Sequence, residues 1–280
     1  MIPAGFAYSR PSSIDEALGL LASHGSEVKV IAGGQSLIPL LKLRLAHVDR
    51  LIDIGRIREL RGMRDLPDGG YEIGALTTYA DILAATRLAW VREAVEGIAD
   101  VQTRYRGTVG GSIAHADPAS DLPAIALALD YAAVLRSGRG ERLVPLDGFF
   151  RGAFHTAMEH DELLVSLRRG PLPAGVGGAF VTLEQPASGY SLVGVAAVVG
   201  GRPGAVSHAR VAITGVGEVP YRAKAVEAAL LAGATPAEAA SHATDGVTVN
   251  GDIHANPTYR AAMAAVYARR AIETALAHAA

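Results

Sequence analysis

The chain has 280 residues, half of them apolar and 19% charged, with a formal net charge of −2, which places it among globular proteins and gives no electrostatic reason to expect nucleic acid or an anionic membrane as partner. It contains no cysteine, which excludes disulfides, thiolate metal sites and any iron–sulfur cluster held by its own sulfurs. No apolar run is long enough for a transmembrane segment, and the opening Met1-Ile2-Pro3-Ala4-Gly5-Phe6 lacks the basic stretch and apolar core of a leader, so a cytoplasmic protein is expected.

Ser12 or Ser13 is expected to cap a helix running to about Ser23. Val28 to Ala32 is a short β-branched strand that runs directly into the glycine turn Ala32-Gly33-Gly34-Gln35-Ser36. Leu37 to Ala46 reads as a helix, with Pro39 in its first turn, where a missing N–H does no harm. Leu51 to Ile54 is the next strand, and Asp65 to Gly70 is a turn cluster marking a sub-domain border. A strand at Tyr71–Ala75, a helix capped near Thr78 and a helix from Trp90 to Ala99 lead to a second glycine stretch, Gly107 to Asp121. Beyond it are a helix at Leu122–Leu129, a hairpin of Tyr131–Leu135 with Arg142–Leu146, and a strand at Leu163–Arg168.

Gly170 to Gly178 holds two prolines and four glycines and is read as a linker. Three strands follow (Phe180–Gln185, Val193–Val199, Ala209–Gly215), then helices at Ala223–Leu231, Pro236–Ala243 and Tyr259–Ala277. Strands first and helices after indicate a separate α+β unit. The alanine excess is read as compositional bias.

The chemistry is expected in the two glycine stretches. Glycine permits positive φ and lets peptide N–H groups converge on phosphate oxygens, while the hydroxyls of Ser36, Thr108 and Ser112 add donors. Both are expected at strand-to-helix junctions. Neither is followed by the Lys-Ser/Thr of a phosphate-binding loop, and neither fits Gly-x-Gly-x-x-Gly. The segment Ile213-Thr-Gly215-Val-Gly217 imitates a dinucleotide fingerprint but has Pro220 in place of the third glycine, so a structural turn is expected. His115 and Asp117 lack a third metal ligand at useful spacing. Arg104 and Arg106 stand just before the second stretch, where they either form a solvated face or steer an anion.

Both glycine stretches with their flanks, together with Tyr190-Ser-Leu-Val-Gly-Val-Ala-Ala197, Ile213 to Gly217 and Asp252 to Ala271, resemble the FAD-binding medium subunits of the carbon monoxide dehydrogenase and xanthine dehydrogenase (molybdenum hydroxylase) family. The resemblance covers nearly the whole chain. It implies an α+β protein: a two-lobed vanillyl-alcohol-oxidase-type FAD-binding domain over residues 1–170, with lobes of about 1–62 and 63–170. A C-terminal domain with an antiparallel sheet and helices would follow over 171–280. It implies that Ala32, Gly33, Gly34, Gln35 and Ser36, with Thr108, Val109, Gly110, Gly111 and Ser112, grip the FAD diphosphate. Asp121 would hold the sugar or adenine end, Leu164 would lie near the flavin ring and Tyr190 beside it. Relatives often carry lysine shortly after the pair matching Ala179-Phe180, where this chain has Val181-Thr182.

The implied function is electron transfer within a molybdenum hydroxylase complex. A large molybdopterin subunit would oxidise substrate and a small iron–sulfur subunit would relay electrons. FAD on this chain, non-covalent for want of a cysteine or a well-placed histidine tether, would pass them to NAD+, a quinone or another acceptor. A dimer of such heterotrimers is expected. Two rivals stay open at this level: a self-sufficient FAD oxidase or dehydrogenase, which would need acid–base residues over the flavin, and a non-redox scaffold that has lost flavin. The absorption spectrum of the purified chain separates the latter.

Overall fold

The computed structural model describes residues 2–24 and 28–279. The N-terminal lobe is a three-stranded parallel sheet, β1 (Ala7–Ser9), β2 (Val28–Ile31) and β3 (Arg50–Asp53), in the order β1-β3-β2. Helix α1 (Ile14–His24) covers it, burying Ile14, Ala17, Leu18 and Leu21. Its start is well specified, because Ser13 Oγ accepts from the Glu16 N–H while Glu16 reaches back to the Ser12 N–H. Helix α2 (Leu37–Lys42) ends earlier than the apolar pattern suggests, since Arg44 adopts φ 57 and turns the chain out of the helix.

The middle lobe is a five-stranded antiparallel sheet built from β4 (Met63–Asp65), β5 (Tyr71–Gly74), β6 (Ala132–Ser137), β7 (Gly140–Pro145) and β10 (Leu163–Arg169), ordered β4-β5-β10-β6-β7. The Asp65–Gly70 cluster is therefore a hairpin turn inside one sheet and not a border, as β4 and β5 pair across it. Five helices lie between β5 and β6: α3 (Tyr79–Ala85), α4 (Ala89–Gly97), α5 (Val101–Arg104), α6 (Val109–His115) and α7 (Asp121–Ala128). Their apolar faces share one core with the sheet, in which Ile113, Ile125, Leu135 and Leu167 are almost fully buried. A short ribbon of β8 (Phe150–Gly152) and β9 (His155–Thr156) was not legible in the sequence pattern.

The C-terminal domain is a four-stranded antiparallel sheet, β11 (Val176–Glu184), β12 (Ser191–Arg202), β13 (Ala205–Thr214) and β14 (Tyr221–Arg222). It is backed by α8 (Lys224–Leu231), α9 (Pro236–Ala240) and α10 (Pro257–His278). Several of the alanines have a packing role here. Ala264, Ala268, Ala271 and Ala275 line the buried face of α10, and their small side chains let it approach the sheet closely. Gly177 completes that approach, since a Cβ there would lie 2.1 Å from the Ala275 carbonyl oxygen.

The same stretch meets the middle lobe. A Cβ at Gly178 would lie 2.2 Å from Trp90 Nε1. Gly177 and Gly178 thus belong to a strand, and only part of the expected linker is irregular. A second tie is ionic: Asp130, held at φ 53 after α7, pairs with Arg210 and Arg222 of the C-terminal sheet.

Candidate functional site

The first glycine stretch joins β2 to α2 as expected. Gly34 has φ 76, a conformation that a residue with Cβ adopts only at a cost, and Ser36 begins α2 without using its hydroxyl as a cap. Among the described residues, none accepts a hydrogen bond from the N–H groups of Gly33, Gly34, Gln35 or Ser36. Gln35 folds its amide back onto the Gly33 carbonyl at 3.2 Å. Ala32 forms the wall between this nest of donors and the strand. A concave run of unpaired peptide donors is suited to an anion.

The second stretch is built differently from the expectation. Gly110 and Gly111 do not form a turn after a strand; they occupy the first turn of α6, which follows α5, and neither has positive φ. Thr108 caps the helix by accepting from the Gly111 N–H. The Val109 N–H donates to the Thr77 carbonyl at 2.9 Å and the Gly110 N–H to the Ala75 carbonyl at 2.8 Å. These amides are engaged by the protein itself and do not converge on a ligand. Thr108 is paired with Thr78 in an isolated bridge, and among the described residues its own N–H has no acceptor.

The two stretches touch. A Cβ on Gly33 would lie 2.1 Å from the Arg106 carbonyl oxygen, so the absence of a side chain is what allows the lobes to close there. A cavity of about 200 Å³ opens beside this contact, with Ala32, Arg106 and Thr108 among its lining residues. Unpaired N–H donors around a hollow between two lobes fit the diphosphate of a dinucleotide-type cofactor.

Further along α6, Ser112 meets Ser120 with their hydroxyl oxygens 2.9 Å apart. Asp121, the first residue of α7, accepts a 2.6 Å hydrogen bond from the Ser191 hydroxyl, which in turn lies 2.5 Å from Thr182 Oγ1. Burial pushes the Asp121 carboxyl up to about 6, against the Ser191 hydrogen bond, with the charges of Glu184 and Asp117 adding to the rise. Tyr190 is half exposed, and its hydroxyl is raised by burial and then by the charges of Asp117 and Asp121. Tyr79 is pushed up to about 12 by burial, opposed by a hydrogen bond with Ser112.

Asp121 and Tyr190 thus share one polar cluster at the junction of the middle lobe and the C-terminal sheet. The direct contact of Asp121 is with Ser191, the residue after Tyr190. Leu164 belongs to the core of the middle lobe and is 3% exposed, beside a register break between Leu164 and Ser166.

Sequence reasoning missed the supports. Thr214 donates to the carbonyls of Pro118 and Ser120 at 2.7 and 2.9 Å, and the Gly215 N–H donates to Pro118 at 2.8 Å. The fingerprint-like Ile213–Gly217 is therefore a structural turn, though it leads into β14, paired back on β13, before the helix and not directly from strand to helix, and its bonds hold the Pro118–Asp121 segment. Arg260, buried on α10, donates to the Leu192 and Gly215 carbonyls at 2.7 and 2.5 Å. Nothing in the local pattern around Thr214, Ser191 or Arg260 announces these long-range bonds. His115 packs against Phe154 with ring centroids 5.0 Å apart, and burial lowers its pKa. Among the described residues there is no group of three or more metal-ligating side chains, and no helix is long and apolar enough to cross a membrane.

A parallel lobe and an antiparallel lobe meeting at a donor-lined cleft, with an antiparallel sheet domain behind them, define a two-lobed flavin-nucleotide-binding protein. The comparisons give the family. Residues 4–169 match the model for the FAD binding domain in molybdopterin dehydrogenase, and residues 178–275 match the CO dehydrogenase flavoprotein C-terminal domain. The carbon monoxide dehydrogenase medium chain of Hydrogenophaga pseudoflava is 38% identical over 99% of both chains. The caffeine dehydrogenase subunit beta of a Pseudomonas species is 34% identical over 98% of this chain and 96% of that one. A solved structure of carbon monoxide dehydrogenase from Hydrogenophaga pseudoflava superimposes with a TM-score of 0.95 at 41% identity over the whole of both chains. The chain belongs to the family of FAD-binding medium subunits of the molybdenum hydroxylases.

Proposed function

We propose that the chain binds one FAD non-covalently in the cleft between the lobes and acts as the electron-transfer flavoprotein of a molybdenum hydroxylase complex. The carrying observation is the nest of unpaired N–H groups at Gly33–Ser36 facing Thr108 across the cleft. Ala32, Gly33, Gly34, Gln35 and Ser36 hold the diphosphate by main-chain donors. Thr108 adds an N–H and a hydroxyl, while Val109, Gly110, Gly111 and Ser112 supply a close, flat helix start against which the cofactor lies. Asp121 holds the sugar or adenine end, Leu164 lies near the flavin ring and Tyr190 beside it. The working division is residues 1–170 for cofactor binding, with lobes of about 1–62 and 63–170, and 171–280 for the C-terminal domain.

Bound FAD supplies the exchange between one-electron and two-electron redox chemistry. The chain's own residues bind, orient and shield it, which accounts for a site without a nucleophile or metal ligand set. A small partner carries the iron–sulfur clusters and a large partner the molybdopterin, assembled as a dimer of heterotrimers in the cytoplasm. The acceptor is NAD+, a quinone or another oxidant, and the substrate is chosen on the large subunit. Relatives named for carbon monoxide and for caffeine, sharing about a third of their residues with this chain, support the view that substrate choice lies elsewhere. Acid or heat treatment of the purified protein tests the binding mode: intact FAD in the supernatant is expected, and flavin remaining with the denatured polypeptide would contradict it.

A further inference from the structure

Backbone N–H groups are partial charges, whereas a diphosphate carries two full ones. The cavity beside the Gly33–Arg106 contact has Arg10, Asp53, Arg61 and Arg106 among its lining residues. Asp53 is already engaged, with Arg10 Nε 3.2 Å from its Oδ2 and the Tyr8 hydroxyl donating to it at 2.5 Å. Arg61 is held by carbonyls alone, Nη2 lying 3.1 Å from Gly55 and Nη1 3.5 Å from Leu76. The Arg106 side chain has no hydrogen-bond or ion-pair partner among the described residues, although its carbonyl sits on Gly33 and so ties it to the first glycine stretch.

Two guanidinium groups without carboxylate partners therefore border a hollow that Ala32 and Thr108 also line, next to the contact between Gly33 and the Arg106 carbonyl. A planar guanidinium pairs with phosphate oxygens in a two-pronged geometry, and two of them match two adjacent phosphoryl groups. Other arginines are neutralised by carboxylates, as Arg142 is by Glu162, Arg168 by Glu72 and Arg222 by Glu227, whereas Arg61 and Arg106 leave their charge available at the cavity.

We propose that Arg61 and Arg106 neutralise the diphosphate of FAD, and that this side-chain charge makes cofactor retention salt-dependent and selective for FAD over riboflavin. The proposal rests on the flavin reading above and adds to it two residues that neither glycine motif contains. Arg61 is positioned beforehand by the Gly55 and Leu76 carbonyls. Arg106 is solvent-exposed and gains its partner when the cofactor is present. Because both lie near water, mobile ions compete with their attraction, and the effect weakens as salt rises.

The test is equilibrium titration of the full-length, flavin-stripped chain with FAD and with riboflavin, at low and at high salt. Arg61→Gln and Arg106→Gln should each weaken FAD binding about tenfold to a hundredfold at low salt, as loss of a charged hydrogen-bond partner does. Both should flatten its salt dependence and leave riboflavin affinity unchanged. Arg106→Lys should restore part of the affinity, because it keeps the charge. Arg58→Gln removes a neighbouring charge on the adjoining open hollow, which Arg61 also borders, and Arg58 is not among the residues lining the first cavity; it is the control and should bind FAD as wild type does. Arg106 has no partner to lose in the free protein, so its replacement carries no folding burden. Wild-type affinity and salt dependence in Arg106→Gln and Arg61→Gln would overturn the arginine assignment while leaving the flavin reading standing. A folded wild-type chain that takes up no FAD would overturn both.

Discussion

The two glycine stretches look alike in sequence and are opposites in structure. At Ala32–Ser36 the glycines free the backbone: Gly34 takes φ 76 and four successive N–H groups are left without acceptors among the described residues. At Thr108–Ser112 the glycines do the reverse. They let a helix start press against β5, so that its first amides are satisfied by Thr77, Ala75 and the Thr108 hydroxyl. One stretch leaves its donors free and the other packs them against the protein, a difference that suits the proposed anion site at the first. A Gly-Gly pair beside a hydroxyl residue signals close approach of backbone, without saying whether the approaching partner is a ligand or the protein itself.

Substitutions should separate the two cases. The largest effect is expected at Gly110, where a Cβ would lie 2.5 Å from the Ala75 Cβ and 2.8 Å from its carbonyl oxygen. Gly110→Val should therefore cost about 3 kcal/mol or more by overpacking and be seen as a fall in melting temperature of the flavin-free chain. Gly33→Ala meets the Arg106 carbonyl at 2.1 Å, but at the mouth of the cleft. It should push the lobes apart and abolish FAD uptake with a smaller loss of stability. Equal loss of stability in both variants would dissolve the contrast.

Asp121 gives a pH test of the buried cluster. Its carboxyl titrates at about 6 in the folded chain against a usual 3.8, so folding favours the protonated form. Stability from this group is fully present below 3.8 and is lost as pH rises to about 6, a change of at most about 3 kcal/mol. In flavin-free protein, Asp121→Asn should be more stable than wild type at pH 7 and lose that advantage below pH 4. Calorimetric scans showing the same pH slope in both proteins would remove the burial argument. With Asp121 at the sugar or adenine end and Tyr190 beside the ring, Asp121→Ala and Tyr190→Phe should be additive in FAD affinity to within about 0.5 kcal/mol.

Smaller effects complete the comparison. Gly34→Ala places a Cβ at φ 76 and should cost about 1–3 kcal/mol of backbone strain, with the greater loss in FAD affinity if the nest is distorted. Thr108→Val removes the cap to the Gly111 N–H and should cost about 1 kcal/mol in thermal stability. A Thr108→Val protein as stable as wild type would show that the α6 start does not depend on its cap.

Much of the fold was legible because it rests on local signals. The Ser12–Glu16 and Thr78–Asp81 capping boxes place α1 and α3, and the β-branched runs place β2, β3 and the C-terminal strands. The first glycine stretch was legible for the same reason, since a strand, a turn and a helix follow one another in sequence. What was missed depends on tertiary contact. The helical start at Val109 is stabilised by carbonyls of Ala75 and Thr77, and glycine propensity alone argues against a helix there. The link from Ser191 to Asp121 spans 70 residues and that from Thr214 to Pro118 spans 96, so no spacing rule reaches them. Arg61 gave no sequence signal either, because its place at the cleft follows from how β3 and β5 are brought together.

Purification of the complex from its native host, with flavin and metal content determined on the same particle, tests the central claim most directly. The account predicts one acid-releasable FAD per copy of this chain, together with molybdenum and iron carried by partner subunits. Recovery of the chain as a fully active, metal-free homo-oligomer would contradict it and establish a self-sufficient flavoenzyme.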